Sequence, residues 1–137
     1  MYRRVRLKTI LILDDEQAVR QSFSDYFEDR FWLPIQAESA EEALVMLQTQ
    51  QPIAAIVDVR LPEMDGTGFI REACNTNLTI AYVICTGSPE FELPADLHDL
   101  ITVSNTIFKK PVSDLDALES EVVKTLEIMA KEGKLDE

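Results

Sequence analysis

The feature that most constrains this chain is a set of short apolar runs without alternation. Ile10-Leu11-Ile12-Leu13, Ile53-Ala54-Ala55-Ile56-Val57 and Ile80-Ala81-Tyr82-Val83-Ile84-Cys85 carry no charge at any position. A strand with one face in water alternates apolar and polar residues, whereas a strand covered on both faces does not. Helical patterns fall between the runs. Val19, Phe23, Tyr26 and Phe27 recur at i, i+4, i+7 and i+8, one face of a helix. Ser39 with Glu42 reads as a capping box opening a second helix through Ala43, Leu44 and Leu47. Phe69, Ile70, Ala73 and Cys74 mark a third, short helix. Leu115, Leu118, Val122, Leu126 and Met129 mark a long last one, with Ser113 as its expected cap and Gly133 just past its end. Leu33 to Ala37 and Thr106 to Phe108 are weaker strands, and Pro34 sends the first of them to a sheet edge. Between Pro89 and Thr106 the pattern allows only a short helix near Ala95 to Leu100. Five β-then-α units predict an α/β domain: a doubly wound, five-stranded parallel sheet with helices on both faces and right-handed crossovers.

With 137 residues the chain makes one domain. The expected division is a basic tail over 1–8 (Arg3, Arg4, Arg6 and Lys8), a domain over 9–131 and a short tail over 132–137. Twenty-five acids against 13 bases leave a net charge of -12, which opposes binding to a phosphate backbone. No stretch is long and apolar enough for a membrane helix or a signal-peptide core. Cys74 and Cys85 make no disulfide framework and suit a reduced compartment. The single His98 excludes zinc sites built on paired histidines. A soluble cytoplasmic protein is expected.

Open parallel sheets bind ligands beyond the carboxyl ends of their strands, so the residues there carry the functional question. The first run is followed by Asp14, Asp15 and Glu16. The third strand leads into Asp58, the fourth into Thr86-Gly87-Ser88 and the fifth into Lys109-Lys110-Pro111. Carboxylates converging on one rim are awkward, since two unit charges about 4 Å apart repel by about 4 kcal/mol at an effective dielectric near 20. A divalent cation relieves that repulsion, and an all-oxygen donor set favours Mg²⁺ over zinc. A hydroxyl at Thr86 and a cation at Lys110 can serve phosphoryl oxygens. Phosphoryl chemistry at a carboxylate is the best reading.

In this order Asp14-Asp15, Asp58 within Asp-Val-Arg-Leu-Pro-Glu-Met-Asp-Gly, Thr86-Gly87 and Lys110-Pro111 resemble a response-regulator receiver domain over residues 9–131. The resemblance implies a flavodoxin-like fold with strand order 2-1-3-4-5. It implies Asp58 as phosphoacceptor, taking the group from a histidine kinase or a histidine phosphotransfer protein. It also implies Mg²⁺ held by Asp15, Asp58 and the backbone carbonyl of Arg60, with Asp14 acting largely through water. Thr86 and Lys110 contact the phosphoryl oxygens, and Pro62, Asp65 and Gly66 shape the loop after the third strand. Lys110 rather than Lys109 is selected by the Lys-Pro pattern. Glu16 reads as a helix-start acid, Cys85 as core packing and His98 as a surface residue.

Gly87 stands where alanine is usual, and Ile107 where an aromatic commonly swings. Because Ile107 is β-branched and stiff, it is expected to stay buried. The switch region (Thr86, Gly87 and Ile107) should then move mainly at Gly87 to Leu100. The last helix runs almost to Glu137, so output is expected through protein–protein binding to an unknown target, by passing the phosphoryl group on or by acting as a sink, with no direct nucleic-acid or membrane contact. The alternative is a Mg²⁺-dependent phosphatase working through an aspartyl-phosphate. That chemistry wants a second acid two residues after the nucleophile, where this chain has Arg60.

Overall fold

The computed structural model describes residues 8–76 and 79–133. Five strands and five helices alternate along it: β1 (Thr9–Leu13), α1 (Gln17–Asp29), β2 (Leu33–Ala37), α2 (Ala40–Gln50), β3 (Ala54–Asp58), α3 (Gly66–Cys74), β4 (Ala81–Thr86), α4 (Ala95–His98), β5 (Val103–Lys109) and α5 (Leu115–Lys131). The strands form one parallel sheet in the order β2-β1-β3-β4-β5. The chain thus winds outward from β1 in one direction, then crosses to β3 and continues in the other, with Pro34 on the edge strand β2.

The uninterrupted runs have a direct physical cause. Leu11, Leu13, Ala55, Val57, Tyr82 and Ile84 pack into one buried layer with residues of α2 and α3. Their immediate neighbours Ile10, Ile12, Ala54, Ile56, Ala81, Val83 and Cys85 pack into a second layer with α1 and α5. Successive side chains point to opposite faces, and both faces are dry, so no position along β1, β3 or β4 tolerates a charge. Only Asp58, the last residue of β3, breaks this rule.

Three local expectations are corrected. The cap of α5 is Asp114, whose side chain accepts from the Ala117 N–H at 3.0 Å, in place of Ser113. Both residues can cap a helix, and only the turn taken by the chain after Pro111 decides between them. The fifth strand is seven residues long, from Val103 to Lys109, because Val103 already pairs with Tyr82 and the ladder resumes at Ile107 opposite Ile84 after a register shift over the polar residues between them. Ile107, expected to be buried, is half-buried, since β5 is the edge of the sheet and lacks a neighbour on one side. The basic residues Arg3, Arg4 and Arg6 lie outside the described residues, as does most of the 132–137 tail. Lys8 is described, with its ammonium 4.7 Å from the centre of the Trp32 ring.

Candidate functional site

All the singled-out strand-end residues meet at one rim of the sheet. Asp14 follows β1 directly and is buried, its N–H donating to the Ala37 carbonyl at 3.1 Å. Asp15 and Glu16 follow it and are exposed. Asp58 closes β3 with only 4% of its surface exposed. Thr86 closes β4 and is fully buried, and its hydroxyl oxygen accepts from the Ser88 N–H at 3.0 Å. β5 brings Lys110 alongside, with the Lys110 N–H donating to the Thr86 carbonyl at 2.9 Å.

Lys110 joins the carboxylates. Its ammonium lies 2.5 Å from Asp14 Oδ2, 3.3 Å from Asp58 Oδ2 and 3.6 Å from Glu16 Oε1. Burial works against the lysine's charge, but the bonds and charges of Asp14 and Asp58 outweigh it and hold the pKa above the ordinary lysine range. For Asp58 the balance goes the other way. Burial, followed by the charge of Asp14, pushes its carboxyl up to about 6, although Lys110 and the backbone N–H of Arg60 pull it down. Lys110 therefore compensates only part of the like-charge crowding.

The loop after β3 requires its glycine. A Cβ on Gly66 would lie 2.2 Å from the Asp58 carbonyl oxygen and 2.9 Å from Val57 Cγ1. Asp65 caps α3, accepting from the Gly68 N–H at 2.9 Å. Together they seat the first turn of α3 against the strand end that carries Asp58. Arg60 is exposed and reaches across the rim, with Nη2 3.4 Å from Ser88 Oγ. Gly87 is different from Gly66, because a Cβ there would meet no heavy atom within 4 Å. The present backbone at Gly87 has room for a side chain.

Oxygens of Asp14, Asp15 and Glu16 lie within 4.8 Å of one another, hard donors of the kind a small divalent cation takes, and Asp58 stands outside that trio. Glu16 was expected to act as a helix-start acid. It occupies the N-cap position of α1 but makes no side-chain cap bond, and its carboxylate faces Lys110 instead. One further residue, Arg20, escapes a reading of the sequence. Arg20 donates to the Asp14 carbonyl at 2.7 Å and to Gln36 Oε1 at 3.2 Å, fixing the acidic loop from α1. Lys109 extends away from the carboxylates, as strand alternation requires, and touches the loop after β4. Cys85 is core, its thiol pushed up to about 12 by burial first and by the nearby carboxylates, and His98 is exposed.

Residues 10–122 match the family model of the response regulator receiver domain. The chain belongs to this family. Sporulation initiation phosphotransferase F of Bacillus subtilis is 26% identical over 117 residues, which is 85% of this chain and 92% of that protein. A protein-glutamate methylesterase/protein-glutamine glutaminase of Paramagnetospirillum magneticum is 27% identical over 128 residues, 89% of this chain. The receiver chain spans only 36% of that relative's length. Among solved structures, a CheY-like receiver domain of Methanospirillum hungatei superposes with a TM-score of 0.76 at 27% identity, covering 92% of this chain and 99% of that one. The doubly wound, CheY-like fold is thus shared along nearly the whole receiver. Among the described residues no helix is long and apolar enough to cross a membrane.

Proposed function

We propose that this receiver accepts a phosphoryl group on Asp58 from a histidine kinase or a histidine phosphotransfer protein and signals by binding another protein in the cytoplasm. The observation that carries the reading is the bridge from Lys110 to both Asp14 and Asp58, at 2.5 and 3.3 Å, beside the buried hydroxyl of Thr86. With its pKa near 6, Asp58 is mostly ionised at neutral pH, so an Oδ lone pair is available as nucleophile. Attack forms the Oδ–P bond as the P–N bond of a phosphohistidine breaks, and the histidine keeps the electron pair. Lys110 is already in the site and can turn from Asp58 to a phosphoryl oxygen. Thr86 keeps its O–H free to donate, because its oxygen is the acceptor of the Ser88 N–H. Asp15, Asp58 and the carbonyl of Arg60 would hold Mg²⁺, with Asp14 acting through water and Glu16 at the margin. Bound there, Mg²⁺ supplies the positive charge that the transferring group and three carboxylates together lack.

Incubation with acetyl phosphate and Mg²⁺, read by intact mass, tests the proposal. One added phosphoryl group per chain is expected, lost in Asp58→Asn and with chelator. Undiminished labelling of Asp58→Asn would refute the assignment.

A further inference from the structure

The two lysines at the end of β5 hold opposite sides of the same strand end. Thr86 pairs in register with Lys109, and the next residue, Lys110, donates its N–H to the Thr86 carbonyl. Alternation sends the Lys110 ammonium into the carboxylates and the Lys109 ammonium under the loop between β4 and α4. There Lys109 Nζ faces three carbonyls of that one loop: Ser88 at 3.1 Å, Pro89 at 3.4 Å and Phe91 at 3.5 Å. An ammonium has three protons to donate, and within the loop the Ser88 carbonyl also accepts from the Phe91 N–H at 3.4 Å. The same loop supplies the Ser88 N–H that fixes the Thr86 hydroxyl oxygen. A continuous path of hydrogen bonds thus runs from Lys109 through Ser88 to Thr86.

We propose that Lys109 is a positioning residue for the phosphoryl site. Its ammonium holds the loop after β4 by the loop's own carbonyls, and through Ser88 it sets the Thr86 hydroxyl against Asp58. The inference rests on the phosphoacceptor reading for its kinetic consequence but not for the loop geometry itself. Any movement of Thr86 toward a phosphoryl oxygen must carry the Ser88 peptide with it, and must therefore shift or release the carbonyls on Lys109. Lys109 belongs to neither the carboxylate cluster nor the Lys110 bridge, so metal binding should not depend on it.

The test uses the full chain, with Lys109→Met to remove the donor while keeping the stem, and Lys109→Arg to restore a cation that can donate. Hydrogen exchange of amides 88–93 is measured without phosphodonor, and Asp58 labelling is measured with acetyl phosphate and Mg²⁺. Lys109→Met should raise loop exchange by about fivefold, the effect of losing one net hydrogen bond, and should change the labelling rate at saturating Mg²⁺. The Mg²⁺ affinity should stay unchanged, and Lys109→Arg should recover most of both effects. Exchange in 88–93 equal to wild type in Lys109→Met overturns the proposal, as does loosening of the loop with an unaltered labelling rate. If the wild type takes no label, the phosphoacceptor reading fails. The exchange result then still decides whether Lys109 holds the loop.

Discussion

The crowding at Asp58 gives a quantitative prediction for Asp58→Asn in metal-free protein. Holding at about 6 a carboxyl that ordinarily titrates at 3.8 corresponds to about 3 kcal/mol between its two protonation states. Asparagine keeps the shape and removes the charge. It also gives up the 3.3 Å pairing with Lys110, but Lys110 keeps Asp14 at 2.5 Å, so the lysine is not stranded. The variant should therefore be more stable than wild type by about 1–3 kcal/mol at pH 7.5 with chelator present, and its Tm should be higher by about 3–10 °C. The sign follows from linkage. The folded pKa lies above the unfolded one, so between pH 4 and 6 the native state holds the proton that the unfolded chain has lost. Ionisation of Asp58 thus costs stability as pH rises through that window, and the full cost is present above it. The difference between variant and wild type should be near zero at pH 4, grow to pH 6 and level off by about pH 7. Chemical denaturation across that range measures it. A variant that is less stable at pH 7.5, or a difference flat with pH, would refute the argument that burial and the charge of Asp14 penalise an ionised Asp58.

Four other outcomes are expected. Mg²⁺ at about 100 times its dissociation constant should stabilise the wild type by about 2.7 kcal/mol, and Asp15→Asn should lose most of that gain in a thermal melt. Gly66→Ala should cost about 2 kcal/mol or more in denaturant unfolding, because its Cβ would be driven to 2.2 Å from the Asp58 carbonyl oxygen. Gly87→Ala should be neutral or stabilising by about 0.5 kcal/mol, since nothing stands within 4 Å of its Cβ and the unfolded chain loses freedom. Arg60→Ala should leave Mg²⁺ affinity nearly unchanged and shorten the phosphoryl lifetime, followed by intact mass after donor removal, because a guanidinium that reaches Ser88 would stand in the way of water attacking a phosphorylated Asp58.

The sheet was legible because its cause is local. Ile10 to Leu13 must be apolar at every position when α1 and α5 cover one face and α2 and α3 the other, so two-sided burial shows directly as an unbroken run. The rim was legible for the complementary reason: a charge directly after such a run, as at Asp14 or Asp58, has no packing explanation. What stayed hidden depends on contacts distant in sequence. Arg20 sits on α1 with ordinary helical surroundings, and only the return of the chain at Asp14 and Gln36 gives its guanidinium two partners. The Ser39 capping box is half as read. Ser39 accepts from the Glu42 N–H at 3.1 Å, but Glu42 reaches back to the Glu38 N–H at 2.8 Å, one residue earlier than the motif describes. Ser113 and Asp114 are chemically equivalent caps, so sequence alone has no means to rank them.

Where the signal leaves the site depends on which side chains can change places. Ile107 stands opposite Ile84 in the sheet and packs, half-buried, against the same layer as Phe91 and Leu93 from the loop after β4. Its exposure makes it less firmly anchored than a core isoleucine, but its branched Cβ still restricts χ1, and its backbone is fixed by pairing with β4. Phe91 and Leu93 have neither restraint, since both are half-buried on a segment without strand or helix. The segment is attached to the rim through Ser88 and Lys109, and α4 beyond it is tied to α3 by the paired Arg71 and Asp96 at 2.8 Å. The Lys109 and Arg71–Asp96 contacts are exposed and polar, each cheap to break beside the cost of moving a paired strand. A pull on Thr86 therefore meets least resistance along 88–93, and the apolar side chains that this segment uncovers or buries lie next to Ile107 without requiring Ile107 to turn.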